Sequence, residues 1–199
     1  MAIHIKDYES YESYIEHQKE KTGNAERRER LTKAFERRKK YFYSRFVAIL
    51  SRITDLKEFK NSKVVCLGAR MGEEVAALHD LGFENAVGVD LMSREPYVIV
   101  EDFHNLSFES ETIGMFYTNS LDHSCKPEQM FKEVSRCLSA DGYFIVDFFP
   151  GHMGKYEACK IDSVKDIKKI TPKNMKLVSC SELTIILSDP GMELIFEKD

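Results

Sequence analysis

A loop with two glycines and two acidic residues has the residue types of a ligand-binding turn. The apolar run Val64 to Leu67 leads into Gly68, and Gly72 follows four residues later. Glycines allow a tight turn and a close approach of a ligand to the backbone. Glu73 and Glu74 then open a helical pattern, where carboxylates suit the helix dipole but repel a pyrophosphate. Since neither GxGxxG nor GxxxxGK[ST] occurs in the chain, we expect neither a dinucleotide nor a nucleoside triphosphate here.

The next apolar run ends in an acidic residue. Asp90 closes the sequence VGVD, eighteen residues after Gly72. A carboxylate at the carboxyl end of a second parallel strand can accept hydrogen bonds from both hydroxyls of a ribose. The alternative is a helix cap or a solvated turn. Together with the loop, Asp90 favours a nucleoside-containing ligand without a pyrophosphate.

Short apolar runs alternate with helical periodicity from residue 63 onward. The predicted strands are Val64 to Leu67, Ala86 to Val89, Tyr97 to Val100, Ile113 to Tyr117 and Tyr143 to Phe148, and the clearer helices are Glu73 to Leu81 and Glu128 to Leu138. This alternation predicts an α/β fold with a mostly parallel sheet. The runs Leu183 to Leu187 and Met192 to Glu197 flank the turn Ser188-Asp189-Pro190-Gly191, which predicts an antiparallel hairpin at the C-terminus.

The first 60 residues have a different pattern. They predict a helix from Tyr8 to Lys21, ending at Gly23, and a long amphipathic helix from Ala25 to Ile53. We therefore divide the chain into an N-terminal helical extension, residues 1–60, and a main domain, residues 61–199. The extension is expected to serve as a lid over the substrate pocket or as an interaction arm.

Charge is distributed unevenly between these parts. Residues 24–45 contain nine Lys or Arg and three Glu, a net charge of +6, so that the rest of the chain carries −10 of the total of −4. The run Arg37 to Lys40, followed by aromatic residues, could contact a nucleic acid. We favour the alternative, in which the apolar stripe of this helix packs on the main domain or on a second copy in a homodimer, and its charges are solvated.

Composition limits the remaining classes. The apolar runs are far shorter than the roughly 20 residues of a membrane span, and the N-terminus lacks a signal-peptide pattern. The five cysteines have no metal-ligand spacing, and free thiols are typical of a reducing compartment. We therefore expect a cytoplasmic protein that binds neither a membrane nor a metal.

Three further stretches complete a pattern: VEDFHNL at residue 100, FYTNSLDHS at residue 116 and a helix followed by SADGYFIVDFF at residue 139. With VVCLGARMG and VGVD, they resemble the class I S-adenosylmethionine-dependent methyltransferases that act on small molecules. The resemblance covers about residues 63–149 and the terminal hairpin. It implies a Rossmann-like, seven-stranded sheet, S-adenosylmethionine as the cofactor and methyl transfer to an acceptor that the sequence does not identify.

The resemblance also implies roles for individual residues. Those that would bind the cofactor are Gly68, Ala69 and Gly72 beside the methionine moiety, Asp90 at the ribose, Leu91 and Phe103 around the adenine, Asp102 at its amino group, and Asn119 and Ser120 beside the sulfonium. Leu91 and Phe103 could instead be simple core residues. Where the acceptor must lose a proton, the candidate general bases are His123 and His152, with Asp147 and Tyr156 as further candidates.

Two positions depart from the family pattern. Cys66 stands where the family usually has an acid that receives the cofactor's ammonium group, and Arg70 replaces the middle glycine. Glu73 or Glu74 could substitute for the acid. Arg70 could hold the cofactor carboxylate, or it could face solvent or pair with one of these glutamates. These departures leave a second hypothesis, an inactive methyltransferase-like scaffold protein that contacts RNA through its basic helix.

Overall fold

The computed structural model describes residues 3–53, 61–183 and 191–199. The elements in chain order are β1 (His4–Ile5), α1 (Tyr11–Gly23), α2 (Ala25–Leu50), β2 (Val64–Leu67), α3 (Glu73–Asp80), β3 (Ala86–Asp90), β4 (Val98–Val100), β5 (Ile113–Thr118), a 3-10 turn (Leu121–His123), α4 (Pro127–Cys137), β6 (Leu138–Phe148), β7 (Cys159–Lys160), α5 (Val164–Ile170), β8 (Met175–Leu183) and β9 (Gly191–Lys198). In these ranges, no helix is long and apolar enough to cross a membrane.

Seven strands of the described residues form one sheet in the order β4-β3-β2-β5-β6-β9-β8. The pairs from β4 to β6 are parallel, while β9 runs antiparallel to both β6 and β8. All four residues of β2 are buried, as expected for a central strand covered on both faces. The predicted Rossmann-like sheet with an antiparallel C-terminal hairpin is therefore confirmed.

The hairpin differs from its prediction in one strand. Its second strand, β9, contains the predicted run Met192 to Glu197, but its first strand begins at Met175 and ends at Leu183. The alternation in β8 is hard to recognise in the sequence because apolar Val178 and Cys180 are among its exposed positions and its two serines are half-buried, at an edge of the sheet. Residues 184–187 of the predicted first strand, and the turn through residue 190, lie outside the described residues.

Helix α2 packs its apolar stripe on the main domain, as favoured from its pattern. Phe42, Phe46 and Ile49 are nearly inaccessible to solvent and share one hydrophobic core with β2 and α3. The stripe is therefore used within this chain. The predicted homodimer remains a prediction, and the boundary at residue 60 falls at the edge of a stretch outside the described residues.

Ion pairs extend this docking. Arg38 pairs with Glu73, Lys39 with Asp80, and Arg45 with both Asp147 and Glu193. Several positive charges of the basic segment thus meet acids of the main domain within one molecule.

The strand order places a crevice at one edge of the sheet. Strand β2 lies between β3 and β5, so its two neighbours are reached by connections on opposite sides. Ligands of open parallel sheets bind beyond the carboxyl ends of the strands at such a switch point. The loops after β2, β3 and β5 meet there.

Candidate functional site

A cavity of about 290 Å³ lies beyond the carboxyl ends of the central strands. One side, here called the sheet wall, consists of the lining residues between Gly68 and Phe149 of the main domain. The other side, the helix wall, consists of Tyr14, Gln18, Lys21 and Thr22 of α1 and Arg38, Tyr41 and Phe42 of α2. The N-terminal extension therefore covers the crevice.

The turn after β2 explains how an arginine fits between the two glycines. Arg70 adopts a left-handed conformation with φ +48°, and its backbone N–H donates to Asp90 Oδ2 at 3.0 Å. This conformation costs a non-glycine residue on the order of 1 kcal/mol, which a charge-assisted hydrogen bond of about 1.5 to 3 kcal/mol offsets. The third glycine is dispensable because the loop is tied to the carboxylate at the end of β3.

Glycine is required at positions 68 and 72 for different structural reasons. Gly68 has φ +69°, and a Cβ there would lie 2.6 Å from Ser120 Cβ, so the loop passes directly over the end of β5. Gly72 has φ +82°, and a Cβ there would lie 2.4 Å from Tyr97 Cβ. Gly68 lines the cavity, whereas Gly72 sets the start of α3.

Asp90 is placed to accept further hydrogen bonds from the cavity. Burial raises the pKa of its carboxyl, while the backbone N–H groups of Arg70, Met92 and Leu91 act in the opposite direction. The side chain lines the cavity. A partly desolvated carboxylate at this position suits neutral hydroxyl donors.

Two buried glutamates open α3 and differ in their partners. Arg38 Nε donates to Glu73 Oε1 at 2.7 Å, so Arg38 of the helix wall makes the ion pair that was open to Arg70. Glu74 Oε1 accepts a long bond of 3.3 Å from Asn119 Nδ2, and no ion pair of Glu74 is seen among the described residues. Burial and the neighbouring Glu73 raise the pKa of Glu74 to about 7.

Asp102 connects the sheet wall to α1. The Tyr11 hydroxyl donates to Asp102 Oδ2, and the His104 backbone N–H donates to Oδ1 at 2.9 Å. Burial opposes ionisation of Asp102, but the hydrogen bonds from His104 and Tyr11 outweigh it and lower the pKa. Asp102 therefore anchors the start of α1 as well as lining the cavity.

A lysine of α1 contacts the candidate base His123. His123 Nδ1 lies 3.0 Å from the Tyr156 carbonyl oxygen, which requires the proton on Nδ1 and leaves Nε2 to accept from Lys21 Nζ. Burial lowers the pKa of Lys21 to about 8 and also lowers the pKa of His123. The two side chains form a proton-sharing pair at the cavity.

The same corner contains three residues whose ligand atoms lie within 4.8 Å of one another: Asp122, His123 and Glu157. The ammonium group of Lys21 interacts with both acids and contacts the imidazole. A cationic side chain thus already serves this cluster.

The structure brings most of the expected site residues to the cavity. Those that line it are Gly68, Arg70, Asp90, Leu91, Asp102, Phe103, Asn119, Ser120 and His123. Ala69 does not line it, because its methyl group packs on the backbone at Gly88. Gly72 is likewise buried against Tyr97.

His152 does not reach the cavity. Its side chain is 54% exposed and faces Glu157 at 3.6 Å. The chain turns at Gly151, with φ +76°, directly after β6, and this turn carries His152 to the surface. We therefore do not retain His152 as a general base.

Sequence reasoning missed Glu101 and the individual residues of the helix wall. Glu101 lines the cavity beside Asp102. Amphipathic periodicity identifies which face of a helix is covered, but Gln18, Lys21 and Thr22 are polar and fall outside that signal. Only the tertiary packing of α1 reveals them.

Comparisons with known proteins agree with this architecture. Residues 65–146 match the sequence model of a methyltransferase domain. An uncharacterized protein of Methanocaldococcus jannaschii is 30% identical over 148 residues, which cover 67% of this chain and 54% of that protein. The chain thus spans about half the length of this relative.

Solved structures with the same fold include three from different organisms. A Pyrococcus horikoshii protein has a TM-score of 0.60 at 19% identity, over 78% of this chain and 90% of that one. An S-adenosylmethionine-dependent methyltransferase of Methanosarcina mazei has a TM-score of 0.61 at 13% identity, over 75% of this chain and 96% of that one. Geranyl diphosphate C-methyltransferase of Streptomyces coelicolor has a TM-score of 0.62 at 12% identity, over 78% of this chain and 77% of that one. It was solved with Mg²⁺, geranyl diphosphate and S-adenosylhomocysteine.

Proposed function

We propose that this chain is a class I S-adenosylmethionine-dependent methyltransferase that transfers the methyl group of S-adenosylmethionine to a small acceptor in the covered cavity. The observation that carries this proposal is the position of Asp90. Its carboxylate lies in the cavity, is tied to the glycine loop through the Arg70 N–H, and suits the two hydroxyls of a ribose. The absence of a phosphate-binding glycine pattern supports the same ligand class.

The remaining cofactor contacts follow from the sheet wall. We assign Asp102, Leu91 and Phe103 to the adenine end, and Gly68, Asn119 and Ser120 to the methionine end. Phe103 is 9% exposed and lines the cavity as well as contributing to the core.

The acceptor is proposed to be a small molecule. With both walls in place, the cavity of about 290 Å³ is at the lower end of the roughly 300 to 1,000 Å³ of ligand pockets. Aromatic side chains of the helix wall, Tyr14, Tyr41 and Phe42, face this space. A partly covered pocket of this size favours a small acceptor over a segment of a macromolecule, which also disfavours the RNA-binding scaffold hypothesis.

S-adenosylmethionine supplies a methyl group that is already activated for in-line displacement. The chain's own contribution is then to orient the two reactants and exclude water. Where the acceptor carries a proton, we propose that the neutral amine of Lys21 takes it while His123 orients that amine, since both side chains line the cavity and burial lowers the pKa of the lysine to about 8.

Calorimetry with S-adenosylhomocysteine tests the proposal. Replacing Asp90 by Asn removes the negative charge and leaves one acceptor oxygen, so at least one charge-assisted hydrogen bond of about 1.5 to 3 kcal/mol should be lost, a loss of affinity of at least about 10-fold. Asp162→Asn is a matched control, because Asp162 pairs with Lys160 away from the cavity. Absence of binding to the unmodified chain at millimolar ligand, or equal affinity of Asp90→Asn, would contradict the proposal.

A further inference from the structure

One buried carboxylate of the cavity lacks a counterpart. Glu74 is 4% exposed and lines the cavity. Its Oε1 accepts the long bond from Asn119, whereas its Oε2 is buried and has no hydrogen-bond partner among the described residues. An unsatisfied buried carboxylate oxygen is costly, and one that faces a cavity is satisfied by water or by a ligand.

The neighbour of Glu74 provides an internal comparison. Glu73 is also buried, and its Oε2 has no hydrogen-bond partner in the part of the chain that the structure describes. Its Oε1, however, pairs with Arg38, and Glu73 does not line the cavity. The ion pair with Arg38 fixes Glu73 as part of the docking of α2. Glu74 is therefore the acid of this pair that is available to a ligand.

The charged and titratable groups around Glu74 come from every element packed against it. They are Glu73 of α3, Arg38 of α2, Arg70 of the preceding loop, Cys66 of β2 and Tyr117 of β5. The two guanidinium groups favour its ionisation, but burial and Glu73 outweigh them. Burial raises the pKa of the Cys66 thiol and the Tyr117 hydroxyl, so neither supplies a charge. The surroundings of Glu74 thus leave room for one more positive charge.

We propose that Glu74 receives the α-ammonium group of the cofactor's amino-acid end, a task moved from the strand position now occupied by Cys66 to the first turn of α3. This inference rests on the proposed function. The glycine loop lies between Asp90 and α3, so a ligand with its ribose on Asp90 extends its methionine chain over the loop. Asn119, which donates to Glu74, lies on the same side of the cavity.

A pair of ligands separates this role from a merely structural one. S-adenosylhomocysteine carries the amino-acid end, whereas 5′-methylthioadenosine has the same nucleoside and sulfur without it. Glu74→Gln should weaken S-adenosylhomocysteine about 10- to 100-fold through loss of a charge-assisted contact, and should change binding of methylthioadenosine less than about twofold. Glu128→Gln is the control, because Glu128 pairs with Lys132 on the surface, and it should leave the ratio of the two affinities unchanged.

Proton release gives a second readout that needs no variant. Glu74 has a pKa of about 7 in the free protein, so binding an ammonium group at pH 7 should release about half a proton. Calorimetry in buffers of different ionisation enthalpy measures this release. The proton release should disappear in Glu74→Gln. If that variant does not fold, Glu74→Asp can be measured in its place, and this variant should retain the release because it keeps the carboxylate.

The possible results are distinct. Equal loss of both ligands in Glu74→Gln, unchanged binding of both, or no proton release in the unmodified chain would overturn the assignment of Glu74 while leaving the methyltransferase proposal intact. Failure of the unmodified chain to bind either ligand would instead remove the proposed function, and the assignment with it.

Discussion

The two walls of the cavity differ in the sign of their charge. The sheet wall contributes five carboxylates, Glu74, Asp90, Glu101, Asp102 and Asp147, against one guanidinium group, that of Arg70. Among the described residues, the helix wall contributes two cations, Lys21 and Arg38, and no carboxylate to this lining. The uneven charge of the sequence, with a basic segment and an acidic remainder, thus becomes an electrostatic difference across one pocket.

This difference has two uses in the molecule. Some of the acids hold the N-terminal helices, as Asp147 does through Arg45 and Asp102 through Tyr11. Asp90 and Glu74 remain open to a ligand that carries hydroxyls and a positive charge. The outward face of α2 takes no part in either, since Arg37 and Lys40 are exposed.

The largest effect on stability is expected when α2 loses its ion pairs with buried carboxylates of the main domain. Arg45 binds two buried carboxylates, Asp147 at 2.9 Å and Glu193 at 2.6 Å. Arg45→Met leaves both without this partner and should lower the free energy of unfolding by about 3 to 5 kcal/mol. Urea denaturation checks this, with the exposed Arg37→Met as a control expected within about 0.5 kcal/mol. Equal stabilities of the two variants would show that the charges of α2 do not hold the walls together.

Removing the unpaired acid of the sheet wall should stabilise the free protein in a pH-dependent way. The folded pKa of Glu74, about 7, exceeds its ordinary value of 4.5, so its contribution to stability is present below pH 4.5 and is lost as the pH rises to 7. Glu74→Gln should therefore be more stable than the unmodified chain by about 3 kcal/mol at pH 8. Thermal unfolding at pH 8 and pH 5 measures this, and a variant that is less stable at pH 8 would refute it.

A smaller effect is expected at the buried cation of the helix wall. The folded pKa of Lys21, about 8, lies below its ordinary value of 10.5, so its stabilising contribution is present above pH 10.5 and is lost as the pH falls to 8. This shift corresponds to about 3 kcal/mol, but Lys21→Met also loses the contact with His123, worth about 1.5 to 3 kcal/mol, so the variant should gain only about 1 kcal/mol at pH 7. The gain should shrink by pH 9.5, and a gain that grows with pH would contradict this explanation.

The sequence predicted the sheet wall far better than the helix wall. Strand β2 has the predicted bounds, and Asp90 lies at the end of β3 as expected. These features can be predicted because a buried strand, a turn and an acidic residue at the end of a strand are each recognisable from a short stretch of sequence. The docking of the apolar stripe of α2 was also legible, since its period of 3.6 residues marks one face.

Other features depend on packing between distant segments. Lys21 reaches His123 only because α1 crosses the crevice, a separation of 102 residues along the chain. The difference between Glu73 and Glu74 arises from Arg38, which lies 35 residues before its partner. His152 shows the reverse case, in which a plausible catalytic residue type is carried to the surface by one turn.

The most direct test of the account is a crystal structure of the full chain with S-adenosylhomocysteine. We expect the ligand to lie between the two walls, with its ribose hydroxyls within hydrogen-bond distance of Asp90 and its ammonium group against Glu74 Oε2. A ligand bound elsewhere, or one in the cavity with its ribose away from Asp90, would contradict the assignment of the sheet wall as the cofactor site.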